Sequence, residues 1–269
     1  MANPKVIIVT GCTSGIGLHM ACAFAKQGHK VVATARNLER LQIIAANASW
    51  DPNQVLLEQL DIRSPVAWQH TIDRAIERWG RVDVLLNNAG YLKPGYIHEL
   101  DPSEIDAHLD TNVKGTIMGS QVTAKQMVKQ GSGHIINIAS LAGIAPVPGL
   151  ALYATSKFAV RGFSLSIADE LKPYGVSVTV LCPDAVETPM LEMERDYEET
   201  ALVFSGGKIL SVIDIENAII NRAMKRKPLE IALPCTRGFL AKLSSFLPEI
   251  SSKVIGQLKK KGLKNQRRQ

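Results

Sequence analysis

The sequence predicts a single-domain, doubly wound α/β fold, a parallel sheet covered by helices on both faces. Three observations carry that expectation. Short β-branched apolar runs alternate with longer segments of helical period along most of the 269 residues. The runs Val6-Ile7-Ile8-Val9 and Val84-Leu85-Leu86 are continuously apolar, as strands buried on both faces are. The first of them leads through a glycine-rich turn directly into a helical segment.

In chain order, strands are expected at residues 5–9, 30–34, 54–60, 82–86, 134–139, 176–181 and 229–232. Helices are expected at 16–27, 38–47, 66–79, 103–129, 153–172 and 215–226. The turn after 5–9 opens the first helix. Ser64-Pro65 precedes the third, and polar Asn87-Asn88-Ala89-Gly90 follows the fourth strand. Regular β-α alternation with right-handed crossovers gives one sheet layered by helices. No repeat, linker or composition break occurs before residue 236. The expected organisation is therefore a domain over 1–236 and a basic amphipathic extension over 237–269.

Composition excludes other classes. Apolar residues make up 46% and charged residues 21%, with 20 Gly and 13 Pro, which is ordinary for a globular domain and unlike a disordered or collagenous chain. Mean hydropathy of +0.04, with no run of eighteen apolar residues, excludes a polytopic membrane protein. The apolar run behind Lys5 is too short for a signal-peptide core, so a cytoplasmic location is expected. Cys12, Cys22, Cys182 and Cys235 are scattered and the six histidines never fall at ligand spacing, so reduced, mostly buried thiols and no metal are expected. The net charge of +6 belongs to the tail: residues 237–269 hold nine Lys and Arg against Glu249, a surplus of eight that leaves the first 236 residues at −2. A near-neutral body gives no footprint for nucleic acid.

Chemistry concentrates at strand ends. Thr10-Gly11-Cys12-Thr13-Ser14-Gly15-Ile16-Gly17 is a glycine-rich strand-to-helix turn. Such a corner lets a pyrophosphate approach free N–H groups at a helix N-terminus, although a turn with incidental glycines is the competing reading. At the end of the second strand a carboxylate would bind the ribose diol of NAD, whereas a guanidinium would pair with the 2′-phosphate of NADP. The sequence there is Val31-Val32-Ala33-Thr34-Ala35-Arg36, without an acid, which favours NADP(H) over a merely solvated Arg36. Asp61 either accepts from an adenine amino group or caps the turn before Ser64-Pro65. Tyr153 and Lys157 stand at i and i+4, one helical face, where an ammonium beside a phenol makes a workable acid/base pair.

Taken together, Thr10-Gly11-x-x-x-Gly15-Ile16-Gly17, Asn87-Asn88-Ala89-Gly90, Asn112, Ser140 and Tyr153-x-x-x-Lys157 resemble the short-chain dehydrogenase/reductase family, in order and in register, over residues 5–232. The resemblance implies a Rossmann-type fold and hydride transfer between a nicotinamide and a carbonyl or alcohol carbon. It implies that Gly11, Thr13, Ser14, Gly15, Ile16 and Gly17 hold the pyrophosphate. Arg36, Asp61 and Ile62 would meet the adenosine, with Asn88, Ala89 and Gly90 further along the cofactor. Pro183, Val186 and Thr188 fit the segment that holds the nicotinamide carboxamide, while Asp184 replaces the usual glycine in a turn that would need positive φ. Tyr153 would exchange the proton, Lys157 would lower its pKa and bind the nicotinamide ribose, Ser140 would bond the substrate oxygen, and Asn112 would hold a water beside Lys157.

The resemblance implies a substrate lid at about 189–211, where Met190, Leu191, Met193, Leu202, Val203 and Phe204 suggest an apolar lipid-, steroid- or aromatic-ketone substrate, or else an ordinary packed helix. The alternatives to an NADP-dependent carbonyl reductase are an NAD-dependent alcohol dehydrogenase working oxidatively and a non-catalytic cofactor-binding sensor. The long helices 103–129 and 153–172 resemble the family's dimerisation helices, so a homodimer or homotetramer is expected. In the tail, Phe239, Leu243, Phe246, Leu247, Ile250, Val254 and Leu258 recur at helical steps broken by Pro248. That stripe either packs near the substrate mouth or lies on an anionic membrane surface.

Overall fold

The computed structural model describes residues 3–206 and 209–266. Its strands are β1 (Val6–Thr10), β2 (Lys30–Ala35), β3 (Val55–Gln59), β4 (Val84–Asn87), β5 (Gly133–Ile138), β6 (Val176–Pro183) and β7 (Glu230–Leu233). They form one parallel sheet in the order β3-β2-β1-β4-β5-β6-β7. The direction of winding reverses between β1 and β4, and a crevice opens at the carboxyl ends of these two strands.

Alternation within the apolar runs feeds two cores. Ile7, Val9, Val31 and Ala33 face one side, packed against Met20 and Phe24 of α1 (Gly15–Lys26) and Leu41 of α2 (Leu38–Asn47). Ile8, Val32 and Leu85 face the other, under Trp68 and Ile72 of α3 (Pro65–Trp79). This is why the strands read as unbroken apolar stretches.

The expected helix 103–129 is two helices, α4 (Ser103–His108) and α5 (Gly115–Gln130), joined by a π-helical turn, Leu109–Lys114. Such turns insert a residue into the helical ladder and re-aim what they carry, here Asn112. α6 (Ala151–Leu171) carries the Tyr and Lys. The lid region is α7 (Pro189–Glu194) and a 3-10 run, Glu198–Ser205. The expected helix 215–226 starts earlier, as α8 (Val212–Asn217), because Ser211 and Asp214 form a capping box at 3.2 and 2.8 Å. A second π-helical turn, Ala218–Ala223, leads to α9 (Met224–Arg226). Cys12 and Cys182 are buried and Cys22 half-buried, but Cys235 is exposed, contrary to the expectation of mostly buried thiols only at that end of the chain.

The extension is helical. α10 (Cys235–Phe246) ends just before Pro248, which opens α11 (Pro248–Gln266) at its first residue, where a missing N–H costs nothing. Two ion pairs fasten α10 to the sheet: Arg237 to Asp184, and Lys242 to Glu230 at 2.7 Å, a carboxylate that Arg161 also grips at 2.7 Å. α11 lies on the 3-10 run so closely that a Cβ on Gly262 would sit 1.7 Å from the Ala201 carbonyl oxygen. Its end is pinned by Asn265 Nδ2 donating to the Phe204 carbonyl (3.0 Å) and Gln266 Nε2 donating to Arg195 and Tyr197 carbonyls (2.9 Å each). Arg267 and Arg268, counted in the basic tail, lie outside the described residues.

Candidate active site

The first β-α turn is shaped to receive a phosphate. Gly11 and Gly15 take φ of +75° and +52°, and a Cβ on Gly17 would lie 2.2 Å from the Gly11 carbonyl oxygen. Ser14 caps α1 without a side-chain hydrogen bond, so the N–H groups of the first helical turn keep their donors for a ligand. Thr10 ties the opposite wall to β1: its hydroxyl accepts from the Asn88 and Ala89 N–H groups at 2.9 and 3.0 Å, and Asn88 Nδ2 donates to the Thr10 carbonyl at 2.9 Å.

From this turn a cleft of about 930 Å³ runs along the carboxyl edge of the sheet. Gly11, Thr13, Ser14, Gly15 and Ile16 line it at one end with Arg36, Asp61 and Ile62. Asn88, Ala89 and Gly90 line its floor, and Ser140, Tyr153, Lys157, Pro183, Val186 and Thr188 line the other end. Of the cofactor and catalytic residues singled out in the sequence, Gly17 and Asn112 do not line it; of the apolar lid residues, Met190, Leu191, Leu202 and Val203 do, and Met193 and Phe204 do not.

The β2 end is more basic than the sequence reading foresaw, because Arg40 and Arg63 line the cleft with Arg36. Asp61 lines the cleft with its carboxylate already engaged: Arg63 holds it at 2.7 Å and the Arg63 N–H closes a turn on it at 3.0 Å. That contact depresses the Asp61 pKa against the opposing effect of burial.

At the other end, Lys157 is buried with its Nζ 5.5 Å from the Tyr153 ring centre and donating to the Ile138 carbonyl at 2.9 Å. Burial lowers its pKa to about 8. Desolvation, and then the charge of Glu194, raise the Tyr153 pKa above the usual phenol value, and a hydrogen bond with Ser140 only partly offsets them. Ser140 is fixed in turn by accepting from the Ala142 N–H at 3.1 Å.

Asn112 has a structural task that the sequence did not show. Its Oδ1 accepts from the Tyr91 N–H (2.7 Å), and its Nδ2 donates to the Tyr91 carbonyl (2.8 Å) and the Ser156 hydroxyl (2.9 Å). Ser156 donates to the Tyr153 carbonyl at 2.7 Å, so this π-turn asparagine braces the turn that carries the tyrosine. A Cβ on Gly90 would stand 3.4 Å from Asn112 Oδ1 and 3.7 Å from Lys157 Nζ, ordinary contacts that place this residue beside both groups.

Asp184 departs from its expected backbone as well. Among the described non-glycine residues, positive φ occurs at Ser49 and Lys227, not at Asp184. The aspartate is instead the buried partner of Arg237, 53 residues later. Tyr91, Glu194 and the α10–α11 side chains Leu240, Leu243, Leu247, Ile250, Val254 and Leu258 also line the cleft. For the last group the period of the apolar stripe was the available signal; for Tyr91 and Glu194 there was none.

The family model for short chain dehydrogenases matches residues 5–199. An NADP-dependent 3-hydroxy acid dehydrogenase of Salmonella typhi is 34% identical over 220 residues, covering 80% of this chain and 87% of the relative. A 3-alpha-(or 20-beta)-hydroxysteroid dehydrogenase of Mycobacterium bovis is 34% identical over 217 residues, 80% of this chain and 81% of the relative. The solved structure of ElxO with NADP bound superimposes with a TM-score of 0.77 at 26% identity, over 85% of this chain and 97% of that one. The chain belongs to the short-chain dehydrogenase/reductase family and is an oxidoreductase of the nicotinamide-dependent kind. No helix among the described residues is long and apolar enough to cross a membrane.

Proposed function

We propose that the protein is an NADP-dependent carbonyl reductase/alcohol dehydrogenase that reduces an apolar, lipid- or steroid-like ketone. The observation that carries the reading is one cleft with three arginines at its β2 end and Tyr153, Lys157 and Ser140 at the other. The uncapped α1 N-terminus and the Gly11–Gly17 cradle fit a pyrophosphate, and Arg36 and Arg40 fit a 2′-phosphate. When bound, the dinucleotide supplies the hydride.

The chain supplies position and field. The Tyr153 hydroxyl gives its proton to the substrate carbonyl oxygen. The Ser140 hydroxyl donates to the same oxygen, where negative charge builds. The Lys157 ammonium, 5.5 Å from the ring centre, stabilises the phenolate left behind and so works against the desolvation that raises the Tyr153 pKa. Asn112 fixes the Tyr153 turn and keeps a second Oδ1 lone pair for a water facing Lys157. The absence of an acid at the end of β2 disfavours an NAD-dependent alcohol dehydrogenase, and retention of all four polar groups disfavours a non-catalytic sensor. Steady NADPH oxidation with a panel of lipophilic ketones tests the reading; NADPH binding without turnover of any ketone refutes it.

Two further parts of the reading concern surfaces. On α10 and α11 Phe239, Phe246, Ile250 and Val254 are 69%, 81%, 59% and 45% exposed, and Lys253, Lys260 and Lys261 are exposed on α11. Apolar side chains flanked by lysines suit peripheral contact with an anionic membrane, each lysine adding about 1 kcal/mol near the surface. Salt-sensitive flotation with anionic vesicles supports this, and no flotation at low salt rejects it. A homodimer or homotetramer would bury the outer faces of α4–α5 and α6, where Ile105 and Phe158 are exposed. Light scattering at the 29.3 kDa monomer mass rejects that assembly.

A further inference from the structure

Three acidic residues line the cleft, and two are neutralised by arginine: Asp61 by Arg63 and Asp184 by Arg237. The third, Glu194, is different. It is only 6% exposed, and its Oε2 is buried without a hydrogen-bond partner among the described residues. From the same lid segment the apolar Met190, Leu191, Leu202 and Val203 line the cleft with it. Its backbone cannot easily turn away, because its carbonyl accepts from the Thr200 hydroxyl at 2.6 Å and from Gln266 Nε2 at 3.3 Å. It stands near enough to Tyr153 for its charge to act on the phenol. A buried polar group without a partner costs stability, and such a group on the wall of a binding cleft is explained when a ligand completes it.

We propose that Glu194 is a specificity-determining residue whose carboxyl hydrogen-bonds a second oxygen of the substrate, a hydroxyl or carbonyl on the same apolar skeleton as the reacting carbonyl. The preferred substrate class is then a lipophilic hydroxyketone or diketone rather than a simple ketone. This assignment rests on the carbonyl-reductase reading above. Burial raises the Glu194 pKa to about 8, so the protonated form predominates at neutral pH and the charge that acts on Tyr153 develops above it. A neutral carboxyl both donates and accepts, which suits a carbonyl or hydroxyl and not an ammonium.

The test uses the full chain with NADPH and a ketone series on one carbon skeleton. The series comprises the monoketone and its diketone and hydroxyketone analogues, with the second oxygen stepped along the skeleton. Wild type should prefer at least one bifunctional ketone by about ten-fold or more in kcat/KM, the size of one buried neutral hydrogen bond. Glu194→Leu should reduce that preference toward unity through KM, and Glu194→Gln, which still donates and accepts, should restore most of it. A thermal melt confirms that both variants fold. The assignment is overturned if wild type shows no preference, if Glu194→Leu keeps it, or if Gln fails to rescue it. An enzyme that reduces no ketone overturns this assignment and the proposed function together, whereas reduction without Glu194-dependent preference overturns the assignment alone.

Discussion

Replacing Arg36 by Ala should weaken NADPH binding while leaving NADH almost unchanged. Three guanidinium groups line the β2 end of the cleft, but they are not equivalent. Arg63 is already engaged by Asp61 at 2.7 Å, whereas Arg36 and Arg40 make no ion pair among the described residues. A hydrogen bond to a charged group contributes about 1.5–3 kcal/mol. Arg36 is exposed, so solvent screening keeps the effect near the lower end, about 1.5–2 kcal/mol. At about 1.4 kcal/mol per factor of ten, NADPH should lose roughly ten- to thirty-fold in Kd. Removing Arg40 as well should deepen the loss to about a hundred-fold or more. Both losses should shrink in molar salt, where the screening length falls to about 3 Å. Calorimetric titration of each variant with NADPH and NADH measures this directly. Equal losses for the two cofactors, or tighter NADH binding by wild type, would refute a phosphate site made by Arg36.

The remaining expectations are as specific. Tyr153→Phe should lower kcat by about 10²–10⁴-fold and leave NADPH affinity intact, whereas Lys157→Ala should damage both; steady-state kinetics with binding titrations separates them. Gly17→Ala places a Cβ 2.2 Å from the Gly11 carbonyl and 2.5 Å from Asn88 Nδ2, so it should cost about 1–3 kcal/mol and lower NADPH affinity, read by thermal melts and titration. Glu194 gives a pH signature. Its folded pKa is raised from 4.5 to about 8 by burial, so the folded state holds a proton that the unfolded chain has released. Wild-type stability should therefore fall relative to Glu194→Gln as pH rises from about 4.5 to 8, by at most about 5 kcal/mol at ~1.4 kcal/mol per pH unit. Denaturant melts of both proteins at pH 5 and pH 8 should show that widening gap, and a constant difference would contradict it.

Much of this molecule was legible from local pattern. The strand Val6–Thr10, its glycine turn and the i, i+4 pairing of Tyr153 with Lys157 follow from periodicity and residue type, because strand and helix formation depend on neighbours a few residues away. The break in the helical stripe at Pro248 belongs to the same class, since proline removes an N–H wherever it stands. The features that needed the folded chain all join distant segments. The π-helical turn at Asn112 goes with a clamp on the Tyr91 backbone, 21 residues earlier. Asp184 replaces a glycine with a buried partner for Arg237, which no local rule could pair with it. The Tyr153 pKa is raised by desolvation first and then by the charge of Glu194, 41 residues further along the chain. Desolvation and ion pairing depend on which element covers which, and that is a property of packing rather than of spacing.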